Sequence, residues 1–274
     1  MSTTLLGLAR LPASARAAVE QHTGPLLDIT EFSEVFHGEI SAHCVSRIGA
    51  WHLKGLRTDH PQAPALRREA EIAPSLAGVA PALRWRVHSS GWDLLGFEAL
   101  EGRPADYSPG SRDLSEVVSL LCRVGAVAGP DLGLRTAEQR LARYASRPEH
   151  LGFFVGDHLV HTDLNHTNLL VDRGAKQGDR ARLVDWAWAT RGAAWLDAGC
   201  WVVWLIASGH SPASAERWAA KVPAWRTASA QGITAFAAAG QNVWEEIASV
   251  DPDLWAIRMT TAAAAWHAYR NKQY

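Results

Sequence analysis

The sequence predicts an α+β protein with a β-rich first part and a larger, mainly helical second part. Before residue 100, short apolar and β-branched runs alternate with glycine breaks, which is typical of antiparallel strands. After residue 111 the chain turns helical. The intervening stretch 101–111, "EGRPADYSPGS", is rich in Gly, Pro and Ser and marks a joint. We therefore expect two parts, residues 1–100 and 101–274.

The first part reads as a small sheet with one crossing helix. A first amphipathic helix is possible within residues 1–20. A further helix is expected over residues 64–80, because Gly78 and then Pro81 close it. Five strand-like runs accompany these helices, at residues 26–32, 40–49, 50–56, 82–89 and 92–100.

The second part alternates helices with a few short strands. Its six helix candidates lie at residues 113–128, 136–147, 194–208, 212–221, 230–249 and 253–270. Its three short strands lie at residues 158–164, 168–172 and 180–186. These strands interrupt the helical part of the sequence and carry a cluster of polar residues. We therefore expect the functional site there.

Composition excludes several classes of function. The chain has 274 residues and a net charge of −1, without a long basic run, which argues against nucleic-acid and membrane-surface partners. The longest apolar run, 198–207, is about half a membrane span. Three scattered cysteines without a C-x-x-C spacing argue against a disulfide framework or zinc ribbon. Together with a start unlike a signal peptide, they indicate a cytoplasmic protein.

The segment "LVHTDLNHTNLLV", residues 159–171, places polar residues inside an otherwise apolar stretch. His161, Asp163 and His166 carry nitrogen and oxygen ligands for a metal, and a catalytic zinc site needs three such ligands. No H-E-x-x-H and no second His/Asp cluster supports that interpretation. A metal hydrolase is therefore disfavoured.

A serine hydrolase is the second alternative. "GHSPA", residues 209–213, resembles a nucleophile elbow, and Asp251 and His267 follow Ser211 in the required order. An elbow must be followed by further parallel strands, however, and the remaining chain reads as helices. A helix that ends at Gly209, with Ser211 starting the next one, is the better interpretation.

Phosphoryl transfer is the third alternative, and it explains more of the residues. His161, Asp163 and Asn168 fit the spacing H-x-D-x-x-x-x-N, in which the aspartate serves as base and the asparagine binds a metal ion. Magnesium prefers a few hard oxygen ligands. Asp185 follows the next strand and supplies a carboxylate. Two strands joined by a polar turn would bring Asn168 and Asp185 to one end of a hairpin.

These motifs resemble the aminoglycoside phosphotransferase-like branch of the protein-kinase-like superfamily, whose usual text is close to H-G-D-L-H-x-x-N-x-L-V followed by I-D-W. Here "HTDLNHTNLLV" and "LVDWAWA" occupy those places. The resemblance implies a bilobal protein-kinase-like fold, with a small sheet and one helix in the first lobe. It also implies ATP, with GTP as an option, Mg²⁺, and transfer of the γ-phosphate to a hydroxyl of an antibiotic- or sugar-like small molecule.

The resemblance also implies a set of supporting residues. Nucleotide binding should involve Lys54, Glu69, Phe97, Glu98 and Ala99. Lys54 should hold phosphates and pair with Glu69, with Glu71 as second candidate, while the backbone of residues 97–99 should meet the adenine edge. His161 should support the catalytic loop. Asp197 matches a family position at which structural support is favoured over catalysis.

The sequence departs from the family text at several positions. Thr162 replaces the usual glycine, Asn165 the common histidine, and Ala187 the glycine of Asp-Phe-Gly. The loop expected to cover the phosphates, "SEVFHGEIS", has only Gly38. Its candidate phosphate contacts are Ser33, His37 and Ser41. Because this loop contains so little glycine, a second hypothesis stays open, in which the chain is a catalytically weak nucleotide-binding protein.

The acceptor is expected to be less cationic than a typical aminoglycoside. From residue 191 onward, acidic and basic residues are nearly equal in number. The stretch therefore has no excess of negative charge that would attract a polycation. The same stretch is rich in tryptophan: Trp195, Trp201, Trp204, Trp218, Trp225, Trp244, Trp255 and Trp266. One or two of these rings should line an apolar or sugar-stacking pocket. The sequence indicates no oligomeric state.

Overall fold

The structure is a computed structural model that describes residue 8 and residues 10–32 and 40–272. The chain divides into two compact units, Met1–Glu101 and Gly102–Tyr274. The first contains a small antiparallel sheet and the second is mainly helical, so the predicted α+β class is confirmed. Ser33, His37 and Gly38 lie outside the described residues.

The first unit is built on a five-stranded antiparallel sheet with strand order β1-β2-β3-β5-β4. Its strands are β1 (Leu26–Glu31), β2 (Ile40–Ser46), β3 (Gly49–Arg57), β4 (Leu83–Ser89) and β5 (Trp92–Glu98). Its helices are α1 (Ala13–Thr23) and α2 (Ala63–Ile72). Alternate strand residues such as Leu53 and Leu94 are fully buried, and Val19 of α1 belongs to the same core. Burial of these side chains supplies the main stabilisation of the unit.

The helix predicted over residues 64–80 is shorter than expected. Helix α2 ends at Ile72, and a 3₁₀ turn, Ala73–Leu76, follows it. Pro74 explains the difference, because proline has no amide hydrogen to continue the α-helical ladder and its ring clashes with the preceding turn. Gly78 adopts a positive φ of 78° beyond this turn.

The second unit combines six helices with five very short strands in its described part. The strands are β6 (Arg103–Pro104), β7 (His158–Val160), β8 (Leu169–Val171), β9 (Ala181–Leu183) and β10 (Thr190–Gly192). The helices are α3 (Asp113–Val124), α4 (Ala137–Leu141), α5 (Leu196–Ala207), α6 (Pro212–Ala219), α7 (Ala230–Val250) and α8 (Leu254–Asn271). β6, β8 and β9 form one small sheet, and β7 pairs with β10.

Several predictions for the second unit were wrong in detail. The strand expected over residues 158–164 ends at Val160, and the helix expected over residues 113–128 ends at Val124. The helix expected over residues 136–147 is only α4, which starts at a capping box formed by Thr136 and Gln139. Pro148 disfavours helical backbone at Arg147, and a 3₁₀ segment follows from Pro148 to Phe154. β6 and β10 were not predicted, because strands of two or three residues are too short to show alternation.

No helix within the described ranges is long and apolar enough to cross a lipid bilayer.

Asp113, at the start of α3, anchors the first loop of the second unit. Its side chain is fully buried, and it accepts hydrogen bonds from Arg103 at 2.7 Å and Arg173 at 2.7 Å. The amide of Asp106 donates to the same carboxylate at 3.0 Å. Burial alone would raise the pKa of Asp113, but the Arg103 hydrogen bond, the Asp106 amide and the charge of Arg173 hold it below its ordinary value.

Asp113→Asn should lower the free energy of unfolding by about 2 kcal/mol at neutral pH, because two half-exposed arginines lose a buried carboxylate. The carboxylate's contribution is present above the ordinary pKa of 3.8 and is lost as the pH falls through the lowered folded-state pKa. The difference between the two proteins should therefore shrink in acid. Urea unfolding followed by tryptophan fluorescence, at neutral and acidic pH, measures both effects.

The exposed pair Arg57–Asp59, with Nε and Oδ1 3.0 Å apart, provides the control. Asp59→Asn should change the urea midpoint much less, because solvent screens this pair. Equal effects of the two substitutions would show that burial of Asp113 adds nothing to its ion pairs.

Candidate active site

The polar segment lies between β7 and β8, where the chain leaves one short strand and enters another. His161 follows β7 directly and is fully buried. Thr162 adopts a positive φ of 72°. The chain then passes Asp163 and a 3₁₀ turn, His166–Asn168, before entering β8. We call residues 161–168 the catalytic-loop segment, after the role that the sequence predicts for it.

His161 connects this segment to the end of β9. Its Nδ1 accepts the amide hydrogen of Asp163 at 3.2 Å, and its Nε2 lies 2.9 Å from the carbonyl oxygen of Val184. Since Nδ1 is an acceptor, the ring proton resides on Nε2, which donates to Val184. Both ring nitrogens are therefore engaged within the protein. His161 is not available as a ligand for a metal ion.

Asp163 and Asn168 contact each other directly. The Asn168 amide nitrogen donates to Oδ2 of Asp163 at 3.0 Å. The other carboxylate oxygen, Oδ1, accepts the amide hydrogen of Asn165 at 3.2 Å. Because Asn168 presents its NH₂ group to Asp163, its carbonyl oxygen Oδ1 faces away from that carboxylate. This orientation leaves an amide oxygen beside the aspartate that can accept a cation.

Asp185 emerges at the same end of the β8–β9 hairpin as Asn168. Leu169 pairs with Leu183 in the ladder, and the amide of Val184 donates to the carbonyl oxygen of Asn168 at 2.8 Å. The predicted hairpin is therefore confirmed. Asp185 itself has left-handed backbone, with φ 62° and ψ 67°. This backbone region is sparsely populated, although aspartate enters it more readily than most residues, and such conformations cluster at functional sites.

Asp197 holds the backbone of the catalytic-loop segment. It is the second residue of α5 and only 2% exposed. Its carboxylate accepts the amide hydrogens of His161 at 2.9 Å and Thr162 at 2.8 Å. Burial raises the pKa of Asp197, whereas the two amides favour its charged form. Its contacts are with the backbone of the loop.

Arg140, which the sequence did not single out, braces the left-handed Thr162. Its Nη1 donates to Thr162 Oγ1 at 2.6 Å, to the Trp188 carbonyl at 2.9 Å and to Thr190 Oγ1 at 3.1 Å. Its guanidinium also lies 5.3 Å from the centroid of the Trp188 ring. In sequence Arg140 looks like a surface residue of a helix. Its contact with Thr162 arises from packing in the folded protein, so the sequence alone does not predict it.

The first unit brings Lys54 and Glu69 together. Nζ of Lys54, on β3, lies 3.0 Å and 3.2 Å from the two carboxylate oxygens of Glu69, on α2. Both side chains are largely buried, at 12% and 5% exposure. Glu71, the second candidate, is exposed on the same helix. A buried lysine that already has one carboxylate beside it is held in a fixed position for a further anion.

The end of β5 is held in the sheet from both sides, and the Glu98 amide donates to the carbonyl oxygen of Ala82 at 2.9 Å. Phe97 is buried, and its backbone lies between His52 of β3 and Leu83 of β4. Glu98 is exposed and pairs with Arg84 at 3.2 Å, and Ala99 is the first residue beyond the strand. Ser41, a predicted phosphate contact, is buried, and its hydroxyl lies 3.3 Å from Nε2 of His52.

The two hydrolase alternatives lack support in the described residues. No group of three or more His, Cys, Asp or Glu side chains that could hold a metal ion occurs there. Ser211 is the N-cap of α6, and its hydroxyl accepts the Ser214 amide at 3.2 Å. His267 bonds to Gln241 and Asn271 through its two ring nitrogens. Its role is therefore that of a surface network between α7 and α8.

No protein-family profile matches the sequence. A sequence search among curated proteins also gives no match. Solved structures, by contrast, are similar over nearly the whole chain. The GDP complex of wild-type aminoglycoside 2'-phosphotransferase-IIIa has a TM-score of 0.62 at 12% identity, over 94% of this chain and 98% of its own. This chain has the fold of the aminoglycoside phosphotransferases.

Two further structures share this fold. One is a thermostable mutant of aminoglycoside phosphotransferase APH(4)-Ia in ternary complex with AMP-PNP and hygromycin B. Its TM-score is 0.58 at 14% identity, over 90% of this chain and 97% of its own. The other is choline kinase LicA from Streptococcus pneumoniae, with a TM-score of 0.61 at 12% identity, over 93% of this chain and 99% of its own.

The aminoglycoside phosphotransferase fold gives a physical meaning to one departure in the sequence. Thr162 stands where the resembling family has glycine, and its positive φ is the conformation that glycine adopts without strain. A β-branched residue there costs on the order of 1–2 kcal/mol. The hydrogen bond from Arg140 to the Thr162 hydroxyl offsets part of this cost.

Thr162→Gly should leave the free energy of unfolding within about 1 kcal/mol of the wild type, because relief of strain and loss of the Arg140 hydrogen bond oppose each other. Thr162→Val keeps the strain and loses the hydrogen bond, so it should destabilise by about 1–2 kcal/mol more than the glycine variant. Urea unfolding gives both values. Thr167→Val, at an exposed position of the same segment, should have little effect.

The prediction depends on the order of the two variants. If Thr162→Gly were less stable than Thr162→Val, the left-handed backbone would cost nothing, and the strain argument would be wrong.

Proposed function

We propose that this chain transfers the γ-phosphate of ATP to a hydroxyl group of a small molecule. The observation that carries the proposal is the hydrogen bond from the Asn168 amide to Asp163 Oδ2, with Asn168 and Asp185 at one end of a hairpin. This arrangement provides a carboxylate for a proton and two separate oxygen donors for a cation. Phosphoryl transfer needs both, side by side.

Asp163 is the proposed base. Its carboxylate accepts the proton of the acceptor hydroxyl as the hydroxyl oxygen forms a bond to the γ-phosphorus. The bond between that phosphorus and the bridging β–γ oxygen breaks, and ADP leaves. The Asn165 amide and the Asn168 side chain orient the carboxylate, so that its position does not depend on solvent.

Asn168 and Asp185 are the proposed ligands of Mg²⁺. An amide oxygen and a carboxylate are the hard donors that Mg²⁺ prefers, and the ion usually takes its remaining ligands from water and phosphates. A protein that binds magnesium through the nucleotide does not need a larger cluster of acidic side chains. When bound, Mg²⁺ would neutralise charge on the phosphate oxygens.

The first unit supplies the proposed nucleotide contacts. Lys54, fixed by Glu69, would bind phosphate oxygens. The backbone of Phe97, Glu98 and Ala99 would meet the adenine edge. His161 and Asp197 would act as positioning residues for the catalytic-loop segment. ATP is the proposed donor, and GTP is a second option because one related fold was solved with GDP.

Proteins that share this fold support a small-molecule acceptor. A hygromycin B complex and a choline kinase both share this fold. The competing hypothesis is a nucleotide-binding protein with weak or no transferase activity. The two hypotheses differ in the role of Asp163, because binding of Mg²⁺-nucleotide alone does not require a base.

Asp163→Asn should reduce transferase turnover by about 100- to 10,000-fold while leaving nucleotide affinity nearly unchanged, because only proton acceptance is lost. Asp185→Asn should instead abolish the gain in thermal stability that ATP gives with Mg²⁺ over ATP alone. Turnover is measured as ADP release, first with water and then with an acceptor panel. Melting temperatures with and without Mg²⁺ measure binding.

Asp179→Asn is the matched control, because Asp179 is an exposed acid in the turn at the other end of the same hairpin. It should behave like the wild type. If the wild type shows no more turnover than Asp163→Asn while Asp185→Asn loses Mg²⁺-dependent binding, the nucleotide-binding hypothesis is supported and the transferase proposal fails.

Glu69→Gln should raise the KM for ATP about tenfold or more, because Lys54 loses its charged partner and its fixed position. Glu71→Gln changes the same type of residue on the exposed side of α2 and should have no effect. Steady-state kinetics with varied ATP tests both. Equal KM values for the two variants would remove the Lys54–Glu69 pair from the nucleotide site.

A further inference from the structure

Asp163 lies in the wall of a cavity formed wholly by the second unit. The cavity encloses about 780 Å³ of empty space, including the part open to solvent. Its wall is largely apolar, with Val203, Phe236, Val243 and Trp244 as examples. The proposed base therefore faces a chamber lined mainly by hydrocarbon and indole.

The charges in this wall are few. Among the described residues that line the cavity, Asp163 is the single carboxylate and Arg140 the single cation. The guanidinium of Arg140 donates to three neutral oxygen atoms, those of Thr162, Trp188 and Thr190. Cys200 also lines the cavity, and burial raises the pKa of its thiol, which keeps it uncharged. The wall thus carries no net negative charge.

The absence of net negative charge in the described wall disfavours binding of a cationic ligand. A cation that leaves water for an apolar wall loses hydration, and an opposite charge or a set of aromatic ring faces must compensate for that loss. Asp163 is the one opposite charge in the described wall, but Arg140 lies near enough to interact with it electrostatically, and Asp163 must also accept the hydroxyl proton. A polycation would need several further carboxylates, which the described wall lacks.

We infer that the acceptor is an uncharged hydroxyl compound with an apolar body about the size of an aromatic ring or larger, which the tryptophan-lined cavity encloses while its hydroxyl meets Asp163. The inference rests on the proposed function, since it assumes that the transferred phosphate goes to a hydroxyl at that carboxylate. The described wall selects against cations and accepts apolar surface.

The tryptophans of this wall also allow a competing interpretation, a cage for a quaternary ammonium group. Such a cage surrounds the cation with aromatic faces. Here Trp204 and Trp244 meet nearly edge-to-face, with centroids 6.2 Å apart and an interplanar angle of 86°. Trp255 packs against Trp244 in the same way, at 5.1 Å. These ring contacts cover part of the aromatic surface that a cage would present, and Arg140, in the same wall, would repel a further cation.

The experiment compares two probes of equal shape and different charge. The first is 2-(4-tert-butylphenyl)ethanol, and the second is its isostere in which trimethylammonium replaces tert-butyl. Binding is measured by calorimetry in the presence of AMP-PNP and Mg²⁺, and transfer is measured as a phosphate mass shift with ATP. The neutral probe should bind at least tenfold more tightly and should have at least tenfold higher kcat/KM. Hygromycin B serves as a polycationic probe and should bind weakly.

A carboxylate added to the wall should reverse this preference. Gly240 lines the cavity on α7, and a Cβ built on it has no atom within 4 Å, so a side chain fits there. Gly240→Glu should shift the ratio of the two affinities at least tenfold toward the ammonium probe. Gly240→Gln controls for size, and Val250→Glu, at an 81% exposed position of the same helix, controls for overall charge.

The outcomes separate the inference from the proposed function. Binding of the neutral probe without transfer would count against phosphotransfer but support the assigned chemistry of the cavity. Transfer to the ammonium probe or hygromycin B at equal or higher efficiency would uphold phosphotransfer and overturn the inference. Failure of both isosteric probes to bind, or identical preferences in all three variants, would also overturn it.

Discussion

The site depends on one buried carboxylate. Asp197 accepts two successive backbone amides, those of His161 and Thr162, and thereby fixes the turn from β7 into the catalytic-loop segment. A buried carboxylate loses several kcal/mol of hydration. Charge-assisted hydrogen bonds and the positive end of α5, at which the residue sits, offset that loss.

The consequences of this anchor extend along the chain. With the His161 backbone fixed, its ring can bridge the Asp163 amide and the Val184 carbonyl. That bridge joins the loop that carries the proposed base to the strand that precedes Asp185. The two polar ends of the site are thus positioned through a neutral histidine rather than through an ion pair. A neutral bridge does not compete for a magnesium ion and adds no charge beside phosphate.

The sequence predicted those parts of the site that local geometry determines. Asn168 and Asp185 flank a short hairpin, so pairing of adjacent strands alone brings them together. The family resemblance implied the pairing of Lys54 with Glu69, which lie on consecutive elements and meet once α2 packs on its own sheet. The α+β class followed similarly from periodicity, and the early end of α2 could have been predicted from Pro74.

Contacts that depend on long-range packing could not be predicted from the sequence. Arg140 precedes Thr162 by 22 residues, and nothing local distinguishes it from a solvent-exposed helical arginine. The charge balance of the C-terminal stretch indicated a weakly charged acceptor, yet most tryptophans counted there are core residues, such as Trp195 and Trp201. Which rings face a cavity is decided by helix packing, which the described structure provides and composition does not.

The Arg140–Thr162 hydrogen bond also makes the two positions energetically interdependent. With a glycine at position 162, the arginine would keep only its bonds to the Trp188 and Thr190 oxygens. A threonine there is strained, and the arginine offsets part of that strain. Substitutions at the two positions should therefore be non-additive in the free energy of unfolding, so that the cost of changing one residue depends on which residue stands at the other.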